Sequence, residues 1–167
     1  MKIETSRLII TEFTEDMIEA VHLNSLDEDT RRFVPDEVFE TIEDARETVE
    51  FLMTCYGNPD SPLVYPVLLK DGTYIGYVQL VPINEGHEIG YHIGAAYTRN
   101  GYASEAVRAF LPEIMRIKGL QEVHGICVAE NAASIRVMEK CGFEKLFEGM
   151  GPYQGQERAI CRYIFRI

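Results

Sequence analysis

Apolar positions along this 167-residue chain follow two rhythms, one of period two and one of three to four. Arg7-Leu8-Ile9-Ile10-Thr11 is a short apolar run and predicts a first strand. Met17, Ile18, Val21 and Leu26 then recur at helical spacing behind Thr14, a residue type that caps helices. Asp27 to Arg32 is polar and short, and Phe33-Val34-Pro35 breaks it. Thr41-Ile42-Glu43-Asp44 has the form of a capping box. Behind it Ile42, Ala45, Val49, Leu52 and Tyr56 share one helical face until Gly57-Asn58-Pro59 ends the helix.

After Pro62 the period shortens. Residues 64–69, 74–81 and 87–94 read as strands, with Asp71-Gly72 and Pro82 to Gly86 as the turns. Such a meander pairs antiparallel. Ala103, Ala106, Val107, Phe110, Leu111 and Ile114 predict a helix over 102–117, and a strand follows at 121–128. A helical crossover joins parallel neighbours, so strands 87–94 and 121–128 are expected side by side and parallel. Pro112 lacks a backbone donor, which costs about 3 kcal/mol inside a helix and predicts a distortion near Arg108 to Pro112. Asn131 suits an N-cap and Gly142 a C-terminal stop, with Phe143 packing behind it. Residues 143–148 and 158–166 read as the last strands, the second with Ala159, Cys161, Tyr163 and Phe165 on one face. No repeat or linker interrupts the chain, so one domain is expected over 1–167.

Composition narrows the function classes. Net charge is −11, which argues against non-specific nucleic-acid binding and suits a cationic substrate such as an amine. The same charge also serves plain solubility. No apolar run approaches the roughly 20 residues that span a bilayer, and the start lacks a signal-peptide core, so a cytoplasmic protein is expected. Cys55, Cys127, Cys141 and Cys161 form no CxxC pair and no metal pattern with the scattered histidines, so no metal site is expected.

The turn ahead of helix 102–117 carries candidate chemistry. Thr98-Arg99-Asn100-Gly101-Tyr102-Ala103-Ser104 places small residues at a helix start. The first N–H groups of a helix have no internal acceptor, and the helix dipole adds about half a positive charge there. Gly101 and Ala103 leave room for a phosphate against the backbone. Residues 99–104 are thus a candidate seat for a phosphorylated cofactor, with an ordinary tight turn as the alternative. The chain has no GxxxxGK[ST] pattern, which argues against a nucleotide-binding phosphotransferase.

Two stretches go beyond a generic anion turn. Glu88-Ile89-Gly90-Tyr91 precedes Arg99-Asn100-Gly101-Tyr102-Ala103-Ser104-Glu105-Ala106. Asn131-x-x-Ser134-x-x-x-x-Glu139-Lys140-Cys141-Gly142-Phe143 follows it. Their order and separation resemble the GNAT superfamily of acetyl-CoA-dependent N-acetyltransferases. The opening Glu4-Thr5-Ser6-Arg7-Leu8-Ile9-Ile10 is similar to the start of the ribosomal-protein N-terminal acetyltransferase branch. The resemblance covers essentially the whole chain. It implies the GNAT fold, an α+β domain with helices on both faces of a mostly antiparallel sheet and a parallel splay between its fourth and fifth strands. Acetyl-CoA would lie in that splay, its pyrophosphate on Arg99, Asn100, Gly101, Tyr102, Ala103 and Ser104. Its pantetheine arm would pair with backbone near His92 and Ile93, as an added strand does. Asn131 and Ser134 would approach from the following helix. The chain departs from the family pattern at Thr98, where Arg or Gln is usual. It departs again at Met138, where many members carry a Tyr acid, and at Pro112.

Acetyl transfer to nitrogen needs a neutral amine, so a base must remove a proton. Glu88 lies on the strand that would pass the acetyl group and is the candidate, as the family's usual glutamate is. The alternatives are an exposed carboxylate or one that only holds substrate charge. A backbone N–H near Ile93 could face the oxyanion. Ser134 becomes the candidate proton donor to the leaving thiolate, against a plain first-turn hydroxyl bonded to backbone. Cys141 lacks an adjacent histidine and reads as core packing, so direct transfer in a ternary complex is expected. The acceptor would be a protein N-terminus, a Lys side chain or a small-molecule amine. Residues 14–56 and the loop 149–157, with Tyr153 as a surface turn or a cover, are expected to shape its site. A non-catalytic module that binds acetyl-CoA is the alternative function, and a homodimer stays open.

Overall fold

The structure, a computed structural model, describes residues 1–167. Its eight strands are β1 (Ile3–Glu4), β2 (Leu8–Ile10), β3 (Leu63–Leu69), β4 (Tyr74–Ile83), β5 (Gly86–Ile93), β6 (Glu122–Val128), β7 (Glu144–Tyr153) and β8 (Gln156–Arg166). They form one sheet in the order β1-β2-β3-β4-β5-β6-β8-β7. Every neighbouring pair is antiparallel except β5 and β6, which the helical crossover makes parallel. That parallel pair is held in register at a single position, Glu88 opposite His124. Beyond it the two strands part. The two-residue β1 is an addition to the expected elements, so the expected fourth and fifth strands are β5 and β6.

Five helices cover the sheet: α1 (Ile18–Asn24), α2 (Glu28–Phe33), α3 (Ile42–Cys55), α4 (Tyr102–Lys118) and α5 (Ala132–Lys140). The capping box at α3 closes in both directions between Thr41 and Asp44. Thr14 does not cap backbone; its hydroxyl bonds the Asp16 carboxylate, and a short 3-10 turn precedes α1. The polar stretch after Asp27 is a helix, because the Asp27 side chain accepts from the Thr30 N–H at 2.7 Å and caps it. α4 runs uninterrupted through Pro112, where a distortion was expected. Pro112 and Arg108 lie on the exposed side of α4, so the Arg108 carbonyl that loses its partner faces water. The expected loop 149–157 is instead a long hairpin of β7 and β8, turned by Gln154 and Gly155, both at positive φ.

The sheet divides two cores. On one face α4 contributes Ala106, Val107, Phe110, Leu111, Ile114 and Met115 to a cluster of 22 buried residues that also holds Ile89 and Ile93. On the other, α1 and α3 close over Phe13, Val64, Leu68 and Tyr74 in a cluster of only 8. The alternation of β5 therefore gives Ile89, Tyr91 and Ile93 to the α4 face. It gives Glu88, Gly90 and His92 to the face of α1 to α3.

Candidate active site

The open end of the β5–β6 seam forms a cavity of 480 Å³. Strand alternation decides which backbone groups enter it. The Gly94 N–H donates to the Ile75 carbonyl at 2.8 Å, so the amides in step with Gly94, including that of His92, face β4. Those of Tyr91 and Ile93 are turned toward β6, which is no longer within reach. The splay edge is thus offered by Tyr91 and Ile93. His92, expected to present backbone there, presents its ring instead.

At the far end of β5 the chain makes a tight turn and starts α4. Gly101 sits at φ 78, in the left-handed region where a side chain is strained. The first backbone ring of the helix closes from the Glu105 N–H to the Gly101 carbonyl at 3.1 Å, which leaves the N–H groups of Tyr102, Ala103 and Ser104 without helical acceptors. Asn100 locks the turn by donating its side-chain amide to the Tyr97 and Thr98 carbonyls at 3.1 and 3.0 Å. Thr98 has a structural use, since its hydroxyl donates to the Ala95 carbonyl at 3.0 Å and closes the preceding 3-10 turn. Arg99, at φ 65, is exposed on the outside of the turn.

Arg7 fastens this loop to β2, a role with no signal in the local motif. Its guanidinium donates to the Asn100 carbonyl at 2.8 Å and to Glu105 at 2.7 Å, and lies over the Tyr102 ring. Burial opposes ionisation of Glu105, but the hydrogen bonds from Thr5 and Arg7 outweigh it and hold its carboxyl below the usual range. Arg7, Arg108 and Lys140 line a groove beside Gly101 and Ser104. These cations stand out against the acidic chain and suit an anionic ligand. The unpaired edge of β5 is free to pair with an extended, amide-bearing chain.

Across the splay, Asn131 caps α5 by accepting from the Ser134 N–H at 3.1 Å. The Tyr91 hydroxyl donates to the Ser134 carbonyl at 2.9 Å and lies 2.9 Å from the Ser134 hydroxyl. This phenol–serine pair spans the two sides of the cavity. Sequence gives no sign of this pair, because strand alternation alone does not say what lies opposite Tyr91. Met138 packs its sulfur over Gly125, where a Cβ would lie only 2.4 Å from it, and is 2% exposed. Burial raises the Cys141 thiol, whose Sγ–H points at the Ser104 carbonyl. It is a packing group between α4 and α5.

Three groups on the α1 to α3 face also line the cavity. Glu88 is half-buried, and desolvation lifts its carboxyl to about 7 against the opposing pull of Arg162. His92 is held in a short relay. The Thr30 hydroxyl donates to Asp27 at 2.8 Å, so the proton in its 2.9 Å contact with His92 belongs to His92 Nε2. Burial keeps the ring neutral by lowering its pKa, though Asp27 and Asp29 pull the other way, and Nδ1 remains an acceptor. Glu37, in the 3-10 turn after Pro35, is the residue that sequence patterning missed. Its Oε2 is sealed from solvent without a hydrogen-bond partner, and burial, then the neighbouring Asp36, lifts its carboxyl to about 7. Tyr153 crosses above and donates its hydroxyl to the Phe33 carbonyl at 3.3 Å, so the hairpin is tied to α2 rather than free.

The chain matches the model of the acetyltransferase (GNAT) domain over residues 7–144. An uncharacterized N-acetyltransferase of Bacillus subtilis (strain 168), YnaD, is 33% identical over 148 residues, covering 87% of this chain and 84% of its own. A GNAT-family acetyltransferase from Bacillus anthracis superposes with a TM-score of 0.84 at 30% identity, over 99% of this chain and 98% of its own. RimL, a ribosomal-protein alpha-N-acetyltransferase in complex with coenzyme A, superposes with a TM-score of 0.85 over 100% of this chain and 98% of its own; at 19% identity that likeness is one of fold. With the half-zipped parallel seam at its centre, this chain belongs to the GNAT acetyltransferase family, whose members take their acetyl group from acetyl-CoA.

Proposed function

We propose that this protein acetylates a primary amine by direct transfer from acetyl-CoA within a ternary complex. The observation that carries the reading is the seam. The edge of β5 that β6 leaves unpaired offers the amides of Tyr91 and Ile93 to the cofactor, while the face toward α1 to α3 offers Glu88 and His92 to an acceptor. In the reaction the amine lone pair attacks the thioester carbonyl, a C–N bond forms and the C–S bond breaks. Glu88 takes a proton from the amine, directly or through one water. The Ile93 N–H faces the oxygen on which charge develops. Ser134, oriented by Tyr91, returns a proton to the thiolate of coenzyme A. The acceptor is a protein N-terminus, a Lys side chain or a small amine. A ribosomal-protein N-terminus belongs in the panel, on the strength of the opening Glu4 to Ile10.

The test is thiol release from acetyl-CoA against peptides, polyamines and amino acids, with wild type and Glu88→Gln. A base with a pKa of about 7 works only when ionised, so kcat/KM should climb through about pH 7 and then level. Glu88→Gln should lower turnover by about 10²-fold or more and flatten that climb. An unchanged pH profile in the variant removes Glu88 from the mechanism. Acetyl-CoA binding with no thiol release for any amine would instead identify a non-catalytic binding module.

A further inference from the structure

A second cavity, of 250 Å³, lies beneath α1 and α3 on the acceptor face. It shares Glu37, Tyr77, Gln79 and His92 with the cofactor cavity as a common wall. Its remaining lining is mostly apolar, with Phe13, Val21, Phe39, Leu52 and Tyr74. Pockets for drug-sized ligands run to roughly 300–1,000 Å³, so this one has room for about a single ring or a short branched chain. The smaller core on this face borders the cavity, since Phe13, Val21, Val49, Val64 and Tyr74 belong to both.

We propose that this cavity is the specificity pocket for the acceptor, which is a primary amine carried on an apolar body of about one ring. The body fills the space under α1 and α3, and the ammonium meets Glu37 at the shared wall, beside the cofactor. Two features complement that ligand. Glu37 lines the wall that the two cavities share, its Oε2 has no partner in the protein, and a buried unpaired carboxylate is costly unless a donor satisfies it. An ammonium is such a donor, whereas an anionic or purely apolar ligand would leave the oxygen as it is. The apolar walls reward a hydrophobic substituent and offer nothing to a polyamine's second charge. The inference rests on the acetyltransferase reading for its reaction but not for its binding step. The same chemistry is presented by a free arylalkylamine and by a peptide whose first residue is bulky and apolar.

Direct calorimetric binding, without turnover, tests the pocket. The probes are 2-phenylethylamine, ethylamine, 3-phenylpropionate and the amide of Phe-Gly-Gly, each added to the protein with coenzyme A. We expect 2-phenylethylamine to bind at least tenfold more tightly than ethylamine, and 3-phenylpropionate not to bind. Glu37→Gln should weaken 2-phenylethylamine by about tenfold while coenzyme A affinity is kept. Thr48→Phe, at a half-buried α3 position on the cavity wall, should erase the preference for the ring. The Phe-Gly-Gly arm distinguishes a peptide acceptor, which binds as tightly as the free amine, from a small-molecule acceptor, for which the peptide is excluded. Equal binding of 2-phenylethylamine and ethylamine, or unchanged binding in Glu37→Gln, overturns the proposal. Because thiol release is measured separately, selective amine binding without turnover would count against the acetyltransferase reading and not against the pocket.

Discussion

The two faces of the sheet are built to different standards. Under α4 the apolar side chains interlock: Phe110 and Ile114 are fully buried, and the Tyr65 ring lies 5.5 Å from that of Phe110. Under α1 and α3 the cluster is about a third as large, it borders a cavity, and an unpartnered carboxylate sits in its wall. The first face has to hold a loop and a helix start in one geometry for a ligand that does not change. The second has to leave room. Rigidity and vacancy sit back to back, separated by one strand, β5.

The largest test of this contrast compares like with like. Leu111→Ala, in the interlocked core, should cost about 3–5 kcal/mol in urea unfolding. Leu52→Ala, half-buried beside the cavity, should cost under about 2 kcal/mol, since that side chain is already partly in water. Equal costs would erase the difference between the faces. Next in size is Gly101→Val, which forces a branched side chain to φ 78 at the turn proposed to seat the cofactor phosphates. Its coenzyme A affinity should fall about 100-fold, or about 2.7 kcal/mol, by calorimetry. Ser134→Ala should lower kcat about tenfold with acetyl-CoA KM little changed, and full turnover would leave Ser134 as a helix-turn hydroxyl.

The smallest effect is one of pH. Glu37 titrates at about 7 in the folded protein, above the 4.5 of a free glutamate. The folded state therefore binds the proton more tightly, and this group's contribution to stability falls as pH rises from about 4.5 to about 7. Its surroundings are Asp36 alongside, with Tyr74, Tyr153 and His92 lining the same region. Glu37→Gln removes the penalty, so the variant should melt a few degrees above wild type at pH 8 and close to it at pH 5. A variant that gains nothing at pH 8 would mean that the carboxylate is better accommodated than its sealed oxygen implies.

Much of the cofactor side was legible because its chemistry is local. Gly101 marks the turn, Asn131 the cap and the period of Ala106 to Ile114 the helix, each within a few residues of what it positions. The acceptor side was not. Glu37 lies in a short 3-10 turn with no periodicity, and its environment comes from α1, α3, β4 and the distant Tyr153. Arg7 is 93 residues from the Asn100 carbonyl it braces. Pro112 lies inside α4 yet leaves the helix unbroken, because it sits on the exposed side where water can take the Arg108 carbonyl. Sequence leaves Tyr153 between a surface turn and a cover, because the pattern ends the strands at 148 and 158 whereas β7 and β8 run on to Tyr153 and from Gln156.

One residue pair, Glu88 with His124, joins β1–β5 to β6–β8 through a backbone ladder. Mechanically that makes a pivot, with the open jaws at the Ile93 end. The Tyr153–Phe33 bond and the ion pair of Arg32 with Glu130 at 3.2 Å act as light clasps across the gap. The core under α4 spans the gap, with Ile89 and Ile93 of β5 in one cluster with Val123 and Cys127 of β6 and Tyr163 of β8, so packing couples the two halves where the ladder is missing. A ligand arm paired along the free edge of β5 would add backbone bonds to that packing, so the seam should resist opening more firmly in the complex than alone.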